Sequence, residues 1–217
     1  MTIPSQAELS KIIKESVQKT FKETIPQQHQ QQQPATKKVL LKEGLILTPQ
    51  TFSLKTEMLS GVVKETHLKI YKSFVDSFNS ISSKLDSVNK DDALNPNDSV
   101  YRRLKIDEQN ALNGVKLHEL CFNNISDLHS EIRLDSLPYI RFAKDWGTFD
   151  KWQFDFRACA LATNEGWAVC YYEPFKQKYM NCLVEGNTVN IPVGGIPVLV
   201  LDCHAHAWFR DYPGDKM

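Results

Sequence analysis

The chain has 217 residues and 41% hydrophobic content, which is enough for one compact domain of two lobes with additional chain. Its 26 basic and 26 acidic residues balance, so the composition argues against nucleic-acid or membrane-surface binding. No apolar run approaches the roughly 18 residues of a membrane span.

The first 24 residues predict an amphipathic docking helix. Ser5 and Glu8 form a capping-box pattern, and one helix face is apolar: Leu9, Ile12, Ile13, Val17 and Phe21. Because a single short helix is marginal alone, we expect residues 5–23 to dock on another chain, in a homo-oligomer or a larger protein assembly. The alternative is packing on its own domain. Residues 25–44 follow as a Gln- and Pro-rich linker.

The same segment is a poor match to a mitochondrial import signal. It is amphipathic and contains lysines, but it also contains Glu8, Glu15 and Glu23 and has no arginine. No secretory pattern is present. The five cysteines lack metal-type spacing, which favours reduced buried thiols. We therefore expect a cytoplasmic protein, or one within a particle assembled in the cytoplasm.

Residues 45–130 predict a lobe made of an antiparallel helix hairpin. Apolar residues at helical spacing place His67 on the stripe of a helix over about residues 58–86, and His118 on a second stripe over about residues 101–129. The polar segment 86–99 separates the two helices. Both imidazoles are expected to face the seam. A lone histidine on such a face is ordinarily a hydrogen-bonded core residue, so neither position is diagnostic by itself.

Residues 131–217 predict an α/β lobe. A helical stretch near residues 148–162 precedes three short strands at 167–172, 179–184 and 196–202. Residues 192–195 read as a turn before the last strand. The fold class is therefore α+β: an N-terminal helix hairpin, and a C-terminal lobe with a small three-stranded antiparallel sheet flanked by helices.

The last strand ends in a cluster that points to metal chemistry. A buried apolar run leads into Asp202, and His204 and His206 follow; nitrogen and oxygen donors of this kind suit a metal ion. Asp202-x-His204-x-His206 resembles the opening motif of amidohydrolase barrels. A barrel of that type needs on the order of 200 residues, mostly after the motif, whereas this chain ends at Met217. Asp202 acting only as a helix cap is the simplest alternative.

A second resemblance accounts for more of the chain. His67-x-x-x-Tyr71-x-x-Phe74 and Asn79, His118-x-x-x-Phe122-x-Asn124, Gly166-Trp167-Ala168, and Asp202-x-x-x-His206-Ala207 with Asp211-Tyr212 resemble, in order, motifs of the iron/manganese superoxide dismutase family. The match covers about residues 45–212. It implies the superoxide dismutase-like fold and superoxide as substrate. It also implies one iron or manganese ion bound by His67, His118, Asp202 and His206, with Phe74, His204 and Trp167 as catalytic neighbours.

The chain departs from the family pattern inside its own site. His204 stands where the family has tryptophan, Ala205 where it has a glutamate that reaches across the dimer, and Phe74 where it has a gateway tyrosine. The family's glutamine near the metal is not placed; Asn187 and Asn190 are candidates. The family also continues into a final helix where this chain ends.

Two functions therefore remain open from the sequence. One is an iron- or manganese-dependent superoxide dismutase with a tethering arm. The other is a catalytically weak or inactive superoxide dismutase-fold subunit of a large assembly, a virion or a ribosome, tethered through its N-terminal helix. The four retained ligands favour the first function. The docking helix and the departures favour the second.

Overall fold

The computed structural model describes residues 45–126 and 133–214. The predicted docking helix and the predicted linker lie outside the described residues. Within them the elements are α1 (Gly61–Ser87), a short 3-10 helix (Lys90–Leu94), α2 (Val100–Asn124), α3 (Leu137–Trp146), α4 (Phe149–Ala162), β1 (Gly166–Glu173), β2 (Lys178–Glu185), β3 (Ile196–Asp202) and α5 (Ala205–Trp208). The predicted α+β class is confirmed. None of these helices is long and apolar enough to cross a membrane.

The two long helices begin at serine caps and pack against each other. The Ser60 Oγ accepts from the backbone N–H of Val63 at 3.3 Å, and the Ser99 Oγ accepts from that of Arg102 at 3.0 Å. Each cap satisfies a backbone donor that a helix start leaves unpaired. The seam buries an apolar cluster with His67 and His118 beside it: Tyr71, Val75, Val115 and Phe122.

The predicted end of the second helix is wrong. The periodic stripe suggested a helix to about residue 129, whereas α2 ends at Asn124 and Ile125 leaves helical geometry at φ −111°, ψ 11°. The Asn124 side chain instead accepts from the backbone N–H of Val200 at 2.9 Å. The last residue of α2 therefore contacts β3.

The sheet has the strand order β2-β1-β3, and both strand pairs are antiparallel. The three predicted strands are confirmed, the first two with slightly longer bounds and the third with the predicted bounds. One face of β1 packs Trp167, Val169 and Tyr171 against Leu117 and Cys121 of α2. The other face places Cys170 against α3 and α4, through Phe142 and Trp152. The central strand is therefore covered on both faces by helices.

The register of the sheet brings Trp167 directly opposite Asp202. Gly166 precedes this pair, and a Cβ there would lie 1.9 Å from the carbonyl oxygen of Val184. Only glycine fits this close approach, and its own carbonyl accepts from the N–H of Cys203 at 2.8 Å. The Gly166-Trp167 motif thus fixes the end of β3, where the acidic residue sits.

Motif residues outside the site tie distant segments together. Asn79 accepts from the backbone N–H of Leu47 at 2.8 Å and donates to its carbonyl at 2.9 Å. Asp211 accepts from the N–H of Ser60 at 2.6 Å, and the Tyr212 hydroxyl donates to the carbonyl of Met58 at 2.6 Å. The last two contacts hold the chain after α5 against the start of α1.

Candidate metal centre

Four side chains from four elements converge at the centre of the described fold. They are His67 of α1, His118 of α2, Asp202 at the end of β3 and His206 of α5, and their ligand atoms all lie within 4.8 Å of one another. The Oδ2 atom of Asp202 is 2.8 Å from His67 Nε2, 3.3 Å from His206 Nε2 and 3.8 Å from His118 Nε2. These are the four residues that the sequence predicts as ligands.

The two helix histidines and the aspartate are shielded from solvent. The side chains of His67 and His118 are 1% exposed and that of Asp202 is 2% exposed, whereas that of His206 is 25% exposed. Burial by itself raises the pKa of Asp202, but the close contacts of its carboxylate with the rings of His204, His206 and His67 outweigh burial and hold that pKa well below its usual value. The carboxylate is therefore ionised at neutral pH.

His118 is held in one orientation by its own helix. Its Nδ1–H donates to the carbonyl of Gly114 at 2.6 Å, one turn earlier, which directs Nε2 toward Asp202. Burial lowers the pKa of His118 to about 4, although the Asp202 charge and the Gly114 carbonyl act in the opposite direction. The ring is therefore neutral at neutral pH, as a metal-binding imidazole must be.

The other predicted neighbours form an aromatic wall around these ligands. The Trp167 ring lies edge-on to His118 with 4.8 Å between centroids, and the Phe74 ring lies 5.4 Å from His118. Phe122 lies 4.9 Å from His67 on the seam side. Phe74 also covers Gly114, where a Cβ would come within 2.7 Å of its ring. Glycine at that position lets Phe74 reach the site.

His204 borders the site from the solvent side. Its Nδ1–H donates to Asp202 Oδ1 at 2.8 Å, and its backbone N–H donates to the same oxygen at 2.9 Å. Asp202 therefore does not cap α5 with its side chain directly; His204 is the residue at the cap position. Ala205, which follows, is exposed, and its N–H donates to Glu165 Oε2 at 3.4 Å.

The structure distinguishes Asn187 from Asn190, the two candidates for the position of the family's glutamine near the metal. Asn187 is 6% exposed; it accepts from the Trp167 indole N–H at 2.9 Å and donates to Asn110 at 3.3 Å. Asn190 is exposed in a turn at φ 65°. Asn187 therefore anchors the indole that contacts His118. Asn110 accepts from Asn187 and the Gly114 carbonyl accepts from His118. The sequence did not predict either contact, and its only indication was the helical spacing of these residues to His118.

The arrangement fits a cation. The Nε2 atoms of His118 and His206 are buried and have no hydrogen-bond partner among the described residues, and the same holds for His67 Nδ1. Leaving such nitrogens unpaired costs about 1–3 kcal/mol each. Three imidazole nitrogens and one carboxylate oxygen suit iron or manganese, and a cation would satisfy the nitrogens that face the carboxylate. This cluster could hold one metal ion.

The five cysteines stand apart from this donor set. None of the five, all of which lie in the described residues, forms a disulfide bond, and Cys121, Cys170 and Cys203 are buried. Burial raises the pKa of Cys121 and of Cys170 to about 12, so both thiols stay protonated. None of the five cysteines belongs to the cluster of His67, His118, Asp202 and His206.

Comparison with known proteins gives a consistent result. A model of the C-terminal domain of iron/manganese superoxide dismutases matches residues 139–217. An iron superoxide dismutase of Aquifex aeolicus is 32% identical over 170 residues, which cover 75% of this chain and 78% of that protein; an iron superoxide dismutase of Aquifex pyrophilus gives the same values. Manganese superoxide dismutase 1 of Haloferax mediterranei is 32% identical over 99 residues, covering 46% of this chain and 67% of that protein.

Proposed function

The chain belongs to the iron/manganese superoxide dismutase family, and from this premise we propose that it converts superoxide to dioxygen and hydrogen peroxide at one iron or manganese ion. The proposed ligands are His67, His118, Asp202 and His206. The observation that carries the proposal is the convergence of the three imidazoles on Asp202 Oδ2.

The protonation states of the ligands support this assignment. Asp202 is ionised, and His118 is neutral, at neutral pH. A cation therefore has no proton to displace from either side chain. A bound iron or manganese ion would supply the one-electron redox chemistry that the reaction needs. Neutral imidazoles with a single carboxylate suit both oxidation states, and they avoid thiolates, which peroxide would oxidise.

The remaining residues position the ligands and exclude water. The Gly114 carbonyl fixes the ring of His118, and the Trp167 and Phe74 rings cover its sides. Phe74 has no hydroxyl, so this position contributes an apolar wall and no proton. The Asn187 side chain accepts from the Trp167 indole and keeps that ring against the site. These are the roles that we propose for Phe74 and Trp167.

Two further expectations remain proposals. We expect residues 5–23 to dock the protein in a homo-oligomer or a larger assembly, and we expect a cytoplasmic location. The exposed Ala205 offers no side chain for the intersubunit contact that the family resemblance leads us to expect there. For that reason the experiment must also distinguish the alternative function, a superoxide dismutase-fold subunit without efficient catalysis.

The test compares metal content and activity in the purified full-length chain. Iron and manganese are measured by elemental analysis, and superoxide consumption is measured alongside His206→Ala and Arg210→Ala. Arg210 is exposed two residues after α5 and serves as the matched control. We expect about one metal ion per chain, with activity that is lost in His206→Ala and retained in Arg210→Ala.

Other outcomes are equally informative. Metal bound at about one ion per chain without superoxide consumption would support the structural-subunit alternative. Activity unchanged by His206→Ala would show that the reaction does not use this cluster. An absence of metal after growth with ample iron and manganese would overturn the ligand assignment itself.

A further inference from the structure

The two oxygens of Asp202 have separate partners. Oδ2 faces the three imidazoles proposed as metal ligands, at 2.8 to 3.8 Å. Oδ1 points the other way and accepts two hydrogen bonds from a single residue, His204: one from its backbone N–H at 2.9 Å and one from its ring Nδ1–H at 2.8 Å. A carboxylate accepts only, so the ring must carry its proton on Nδ1.

The His204 ring is itself fixed on two sides. It lies edge-on to Trp167 with 5.3 Å between centroids, and it stacks on His206 at 5.1 Å with 22° between the ring planes. Its side chain is 17% exposed, so it stands between the buried carboxylate and solvent. The residue therefore contacts two of the four ligand residues, one through hydrogen bonds and one through ring stacking.

We infer that His204 is a positioning residue that orients the Asp202 carboxylate, so that Oδ2 and not Oδ1 is presented to the cation, and that holds the His206 ring in place. This inference rests on the proposed function. Two donors on Oδ1 prevent the carboxylate from rotating about its terminal bond and from offering both oxygens. Hydrogen bonds to ligands of this kind typically change metal affinity by about 10–100-fold.

The inference applies to a position where this chain departs from its family. The family pattern has a tryptophan at the position that matches residue 204, whereas this chain has a histidine. An imidazole nitrogen one bond beyond Cγ can reach back to the carboxylate two residues earlier. The change is therefore not a simple loss; it adds a ring donor to the carboxylate.

The test uses isosteric variants of the full-length protein. In His204→Asn the amide Nδ2 occupies the place of the ring Nδ1 and can still donate to Oδ1. His204→Leu has the same shape as the asparagine variant but no donor. His204→Phe keeps an aromatic ring for stacking but also has no donor. Affinity for Mn²⁺ is measured by competition with a chelator, and thermal unfolding of the metal-free proteins checks that each variant is folded.

We expect His204→Leu and His204→Phe to bind Mn²⁺ about 10–100-fold more weakly than the wild type, and His204→Asn to recover most of that loss. The electron paramagnetic resonance spectrum of bound Mn²⁺ should change in the leucine and phenylalanine variants and resemble the wild type in the asparagine variant. Nitrogen-15 spectra of the metal-free wild type should show the His204 proton on Nδ1.

Three results would overturn the inference: equal Mn²⁺ affinity in all four proteins, an asparagine variant as weak as the leucine variant, or a His204 proton on Nε2 in the metal-free protein. Failure of the proposed function looks different. Mn²⁺ bound tightly by the wild type without superoxide consumption would remove the activity and leave the inference standing. No Mn²⁺ or Fe²⁺ binding by the wild type would overturn both.

Discussion

Acid should destabilise the metal-free protein through His118. Burial lowers the pKa of this ring to about 4, against about 6.5 in an unfolded chain. Between these two values the unfolded state binds a proton that the native state does not, so stability is present above the unfolded pKa and is lost as the pH falls toward 4. Each pH unit within the window costs about 1.4 kcal/mol, so His118 removes about 1.3 kcal/mol between about pH 7.5 and about pH 5.5.

The assay is urea unfolding with a chelator present, at several pH values across this window. His118→Gln keeps a side-chain amide but has no group that titrates in the window, so its free energy of unfolding should fall with acid by about 1.3 kcal/mol less than that of the wild type. Lys116→Gln, exposed on the same helix, is the control and should follow the wild type. An identical pH dependence in wild type and His118→Gln would refute the assignment of a depressed pKa to this ring.

Three other predictions concern the surroundings of the site. Trp167→Phe leaves the buried Asn187 Oδ1 without its donor and should lower the free energy of unfolding in urea by about 1–3 kcal/mol. The indole of Trp208 donates to the Cys203 carbonyl at 3.2 Å in a less buried setting, so Trp208→Phe should lower that free energy by less. An equal loss of stability in the two variants would contradict the argument. Asn79→Ala removes both bonds to Leu47 and should cost about 1–3 kcal/mol and speed proteolysis near residues 45–54, whereas Ser80→Ala, exposed next to it, should do neither. Mn²⁺ at about 100 times its dissociation constant should stabilise the wild type by about 2.7 kcal/mol, and the same concentration should leave His206→Ala nearly unchanged in thermal unfolding.

Local sequence patterns were sufficient to place three of the four proposed ligands on their elements. The helical stripes put His67 and His118 at the seam, and the apolar run before Asp202 identified a strand that ends in a carboxylate. Both features come from local patterns with a period set by the backbone. The order of the four residues along the chain then matched a known family, which no single stripe could have established.

Local sequence patterns could not predict the contacts between distant segments. At the end of α2, the Asn124 side chain accepts a hydrogen bond from Val200, 76 residues away. The choice of Asn187 over Asn190 depends on which side chain the turn after β2 directs toward Trp167. The pairing of Trp167 with Asp202 depends on strand register. These features are set by tertiary packing, which overrides local propensity and leaves no periodic signal.

The departures from the family pattern lie next to the four donor residues and not among them. The inner face of the Asp202 carboxylate keeps three imidazole nitrogens that point at one oxygen, although such a cluster is costly to bury without a cation. The altered residues lie around that donor set, where Phe74 packs beside His118, His204 holds the outer oxygen and Ala205 is exposed. A fold that no longer bound metal would gain stability by replacing buried unpaired nitrogens with apolar groups. Retention of all four donors beside altered neighbours therefore supports the proposal that this chain binds one metal ion.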